Sequence, residues 1–177
     1  MMITGRISIA CASKAKYMLS LHINNGNAGL KGLEIYAPCK SNLDFAKNMA
    51  NKIVGATEVE YSNNNSFKEA DGVYVRNFTQ SVIRDYEATA KRKGYAPYNI
   101  TLDTPYLYTI REVGGIATNA FVDGRNTSYS ANKYYNSNQG IECYQIEMGY
   151  IKKDLEIIKN QMEQYVSAIS EAVLENL

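Results

Sequence analysis

The end of the chain restricts the fold most. Leu155, Ile158, Met162, Tyr165, Ile169 and Ala172 return at spacings of three and four, which makes one apolar stripe along a helix. Asp154 stands ahead of it as a cap. Such a stripe must be buried on a second layer, and short apolar runs supply that layer. Tyr17 to Ile23, Leu33 to Ala37 and Cys143 to Met148 read as strands, the second stopped by Pro38. Helical patterns lie between them. Ile3, Ile7, Ala10 and Cys11 predict a helix over Ile3 to Lys16. Leu43, Ala46, Met49, Ala50 and Ile53 predict another, capped by Ser41 and ended by Gly55. Phe78, Val82, Tyr86 and Ala90 predict a third, stopped by Gly94 and Pro97. Pro105 opens an alternating stretch, Tyr106 to Glu112, which Gly114-Gly115 would turn into Ile116 to Val122 as a hairpin. Val59 to Gly72 and Asp123 to Gly140 read as loops. This alternation predicts one α/β layered domain over residues 1–177, with a mostly parallel central sheet and helices on both faces.

Bulk properties exclude several functions. A chain of 177 residues builds one proper core. A net charge of +1 gives no pull toward nucleic acid or an anionic membrane. No apolar run is long enough to span a bilayer. The opening residues carry no secretory-signal pattern. Cys11, Cys39 and Cys143 form no CxxC pair and read as reduced thiols. Tyrosines in polar stretches, such as Tyr129, Tyr134 and Tyr135, suit carbohydrate or peptide contact, although a bias toward A and T in the codons would also supply them.

Two groups stand at the C-terminal ends of predicted strands, where open α/β sheets place ligands. One is His22, the only histidine, followed by Asn24, Asn25 and Asn27. The other is Glu147, two positions before Gly149. A carboxylate at the end of an apolar strand is costly without a partner.

Taken in order, "SLHIN", "GLEIY" and "IEMGYI" before a long amphipathic helix resemble the zinc-dependent N-acetylmuramoyl-L-alanine amidases of cell-wall lysis, the endolysins and autolysins. In that family a strand ends in S-[IL]-H-x-N with a zinc-binding histidine. A second strand reads G-x-E-[VI]-Y, and a late E-x-G-[FY]-[IL] carries the catalytic acid/base. These positions fall on His22, on Gly32 and Glu34, and on Glu147. Upstream, "GRISIACASKAKYMLSLH" is similar to the family's helix-to-strand lead, with Arg6, Ile9 and Ala10 in the usual places. The likeness covers about the first forty and last forty residues; Val59 to Gly140 matches loosely and is longer than the family core.

The resemblance implies a peptidoglycan hydrolase that cleaves the amide between N-acetylmuramic acid and the L-alanine of the stem peptide. Zinc would activate water and polarise the carbonyl. Glu147 would take the water proton and pass it to the leaving nitrogen. Asn24, Glu34, Arg111, Arg125 and Tyr135 are the implied substrate-binding candidates. Family members open with a strand ending in a D-P-G-H-G-like turn, whose histidine is the first zinc ligand, and a glutamate further on is the second. Neither is recognisable here. The reading is therefore of an N-terminally truncated amidase domain, impaired as this chain, with zinc weak or absent. The alternative is a non-catalytic wall-binding or regulatory fragment. Either would act at the bacterial wall, released from the cytoplasm as phage lysins are or derived from a secreted parent. His22 and Glu147 are expected to face one cleft. An uncovered sheet edge would favour a homodimer.

Overall fold

In the computed structural model these patterns resolve into five strands and five helices among the residues it describes, which are 9–10, 13, 15–38, 43–94, 100–113 and 141–177. In chain order they are β1 (Tyr17–Asn24), β2 (Glu34–Tyr36), α1 (Asp44–Ala56), β3 (Lys68–Ala70), β4 (Val73–Tyr74), α2 (Gln80–Lys93), α3 (Tyr108–Val113), β5 (Glu142–Tyr150), α4 (Leu155–Asn160) and α5 (Met162–Glu175). Ile9, Ala10 and Ser13 are helical, in keeping with the first expected helix; the rest of it lies outside the described residues.

The sheet runs β1-β5-β2-β4-β3. β2 is parallel to β4 and antiparallel to β5, and β3 is antiparallel to β4. The Glu142 amide donates to the Lys16 carbonyl at 2.9 Å, and the Ile151 amide to the Asn24 carbonyl at 2.9 Å, so β1 and β5 run parallel. The sheet is thus mixed, not mostly parallel. The connection from Asn24 to Glu34 is too short for a crossover, so β1 and β2 point in opposite directions. β5, inserted between them, must oppose one of the two.

Contacts divide the chain into two compact units: Met1–Met18 with Arg76–Cys143, and Leu19–Val75 with Tyr144–Leu177. In the second, α1 buries Phe45, Ala46, Met49, Ala50 and Ile53 and packs on β2, β4 and α5. Phe45 meets Tyr144 edge-on, with ring centroids 4.9 Å apart. The helices therefore cover the sheet face that carries Tyr144, Ile146 and Ile35. Ile53 and Tyr165 are fully buried there. Truncating Ile53 to alanine would cost about 2–5 kcal/mol. The exposed pairing of Lys52 with Glu171 and Glu175, at 3.5 and 2.8 Å, is screened by solvent and adds little beside that burial.

Several expectations change. The final helix is two helices, because Gln161 leaves helical geometry and its side chain accepts the Glu58 amide at 2.7 Å. Asp154 does not cap it through its side chain. α1 continues through Gly55 to Ala56, and Leu43 occupies its N-cap position; Ser41 lies outside the described residues. The Val59 to Gly72 loop contains β3, which pairs with β4 just beyond it.

In the first unit, Thr79 caps α2 by accepting the Val82 amide, and Gly94 ends it. The stretch expected to start a hairpin is helix α3. Thr109, Ile110 and Val113 are buried, a helical spacing, and the Arg111 amide donates to the Leu107 carbonyl at 3.0 Å. Polar and apolar residues alternate over Tyr106 to Glu112, yet the burial follows helical period. The second half of the expected hairpin lies outside the described residues.

Candidate functional site

Alternation along β1 places Ser20, His22 and Asn24 on one face; along β5 it places Gln145, Glu147 and Gly149 together. Register joins β5 to β2, with Glu34 opposite Glu147 and Tyr36 opposite Gln145. This is the face turned away from α1. His22, Glu34 and Glu147 are electrostatically coupled there, since the charges of both His22 and Glu34 act on Glu147.

Glu147 is 8% exposed. Burial pushes its carboxyl above the ordinary carboxylate range. The Gln145 amide, which donates to its Oε1 at 2.8 Å, pulls the other way, as does His22; the Glu34 charge adds to the rise. A carboxyl balanced in this manner can both accept and release a proton closer to neutrality than an exposed one. His22 has its Nε2 2.8 Å from the Ser20 hydroxyl.

Glu34 has no exposed surface. Its Oε2 accepts from Asn24 Nδ2 at 3.2 Å and from the Tyr36 hydroxyl at 2.8 Å. Its Oε1 accepts from the Ser62 hydroxyl at 2.8 Å, Asn64 Nδ2 at 3.2 Å and the Tyr150 hydroxyl at 2.5 Å. Burial, reinforced by the bond to Glu34 and by its charge, pushes the Tyr150 hydroxyl far up, so it remains a donor. Tyr74, pushed up to about 12 chiefly by burial, donates to the Asn64 carbonyl at 2.8 Å and steadies that loop.

Asp154, taken from sequence as a helix cap, accepts the Gly32 amide at 2.7 Å and the Tyr150 amide at 2.8 Å. It clasps the start of β2 to the end of β5. Gly149 makes this approach feasible. Its φ is +157°, and a Cβ there would lie 2.6 Å from the Asp154 Cβ. Gly32, at φ +94°, passes as closely to the backbone of Glu60 and Ser62.

Of the residues singled out from sequence, the structure brings together His22, Asn24, Glu34 and Glu147. Arg111 belongs to the other unit. There its guanidinium donates to the carbonyls of Pro105 and Tyr106 at 3.1 and 2.9 Å and lies over Phe78 and Tyr108. Arg125 and Tyr135 lie outside the described residues. Ser20 and Gln145 were missed, although each stands two positions before a chosen residue and so on its face. Ser62, Asn64 and Tyr150 were also missed, and the first two carry no local signal.

Among the described residues no group of three or more His, Cys, Asp or Glu side chains is arranged to hold a metal ion. A hydrolytic zinc needs three protein ligands and an open position. The face offers one imidazole and Glu147, while both oxygens of Glu34 are engaged by donors. This donor set does not fit a zinc centre.

The described residues thus form an α/β layered fold that carries an imidazole and a carboxyl on one sheet face, toward the strand ends. Solved structures specify the fold further. The apo form of the N-acetylmuramyl-L-alanine amidase Ami1 from Mycobacterium abscessus is similar with a TM-score of 0.53 and 15% identity, over 96% of this chain and 58% of that one. Ami1 from Mycobacterium smegmatis is similar with a TM-score of 0.52 and 12% identity, over 96% and 57%. Cwp6 from Clostridium difficile gives a TM-score of 0.51 and 15% identity, over 99% of this chain and 20% of that one. The chain therefore has the fold of the N-acetylmuramyl-L-alanine amidases and spans less than two thirds of the length of these structures. No protein-family model matches the sequence, and no curated protein matches it significantly. No helix among the described residues is long and apolar enough to cross a membrane.

Proposed function

We propose that the chain engages muramyl peptide of the bacterial wall as a peptidoglycan amidase does, with Glu147 as the group that moves protons in cleavage of the N-acetylmuramic acid to L-alanine amide. The observation that carries this reading is the placing of Glu147 beside His22 on one sheet face, in a chain with the amidase fold. Glu147 would accept a proton from water and deliver it to the leaving nitrogen, with burial keeping its carboxyl basic enough for the first step. His22, on the neighbouring strand, would orient the ligand.

Hydrolysis by the chain alone is expected to be weak, because the described donors do not complete a metal centre. Zinc should be held loosely; elemental analysis after dialysis should find far less than one zinc per chain. One tightly held zinc would overturn that expectation. The functional test is release of new L-alanine amino termini from purified peptidoglycan, with zinc in the buffer, alongside binding of muramyl dipeptide by calorimetry. Slow release that falls by about 10²-fold or more in Glu147→Gln supports the reading. A chain that shows neither binding nor release would refute it. Binding without release would favour a second reading, a non-catalytic muramyl-peptide-binding protein, to which the incomplete donor set also points.

A further inference from the structure

Glu34 and Asn24 are separated laterally by a whole strand, since β5 lies between β2 and β1. Their side chains nevertheless meet at 3.2 Å, so the bond passes over β5 on the face that carries Glu147. The same carboxylate takes the Tyr150 hydroxyl from the end of β5, and Ser62 and Asn64 from the loop before β3. Among the described residues no cation is paired with it; five neutral donors surround it. A fully buried carboxylate is expensive, and a set of donors on separate segments holds it only while those segments stay in place. The dependence is reciprocal: the carboxylate holds the segments. Asn24 is two residues beyond His22 on β1, and Tyr150 three residues beyond Glu147 on β5.

We propose that Glu34 is a positioning residue that ties the ends of β1 and β5 to β2 and thereby sets the placement of His22 relative to Glu147. It does not touch substrate, being without exposed surface. This extends the muramyl-peptide reading, because those two groups are the ones on which that reading rests.

The single histidine makes the test clean, since its ring signals in a heteronuclear NMR spectrum have no overlap. Glu34→Gln preserves shape but turns one acceptor oxygen into a donor facing hydroxyls and amides. Asn24→Ala removes the lateral bond and leaves Glu34 with its other donors; it is the variant to use where Glu34→Gln does not fold. The expected result, at fixed pH and without ligand, is a cooperative melt with His22 ring nitrogen shifts moved off the wild-type position. Muramyl dipeptide binding should weaken about 10-fold or more, as when a group that orients a site residue is lost. A folded variant with wild-type His22 shifts and wild-type binding would overturn the proposal. Wild-type protein that ignores muramyl dipeptide, but whose His22 signals still move in these variants, would sink the functional reading and leave the positioning role standing.

Discussion

At the scale of single residues, the clearest consequence belongs to Glu147. Burial raises its carboxyl above the unfolded value, so between those two values the folded protein holds a proton that the unfolded chain has released. Stability from this group therefore falls as pH rises through that window, and below both values it contributes no pH dependence. Glu147→Gln should accordingly be more stable than wild type at pH 7, by about 1 kcal/mol, the usual scale for relieving a functional-site penalty. The gain should vanish toward pH 3, well below the ordinary glutamate value of about 4.3. Thermal melts across that range check it; a constant difference at every pH would contradict it. Asp154 makes the opposite case. Its replacement by alanine leaves the Gly32 and Tyr150 amides without their acceptor and should cost about 2–6 kcal/mol in denaturant titration, from about 1–3 for each buried donor.

Elements show how much the sequence disclosed. Helices with a sustained 3.6-residue period, α1, α2 and the pair α4–α5, were legible because the period reports burial directly. The boundaries were less so, since Gln161 breaks its helix through a contact with Glu58 that no local pattern encodes. α3 was misread because six residues are too few to separate period two from 3.6. His22 and Glu147 were legible as polar groups closing apolar strands. Ser62 and Asn64 were not, since they reach Glu34 only through tertiary contact. β1 adds a prediction of its own. It lies at the sheet edge, and Leu21 and Ile23 on it are 52% and 41% exposed. An apolar edge strand is a template for pairing. A second copy, joined β1 to β1 about a two-fold axis, is the expected partner. Light scattering should show concentration-dependent association that Leu21→Lys weakens; a clean monomer of 19.8 kDa at every concentration would reject it.

For the whole molecule, the sheet order fixes a schedule. β5 is the last strand in the chain, yet it occupies the place between β1 and β2, the two made first. Two of the bonds that seal the site join residues far apart in sequence: Tyr150 with Glu34 and Asp154 with Gly32 close loops of more than a hundred residues. Contacts of such separation form late and slowly. During synthesis, β1 and β2 therefore leave the ribosome with their facing edges unfilled until Glu142 to Tyr150 follows. Until β5 arrives, those edges are exposed to chaperones, to neighbouring nascent chains and to proteases. A chain halted before Glu142 should show no cooperative unfolding, however much helix its circular dichroism retains. The candidate site would then assemble only once β5 has emerged, so Glu147 and His22 could not face each other as a pair on any shorter nascent chain.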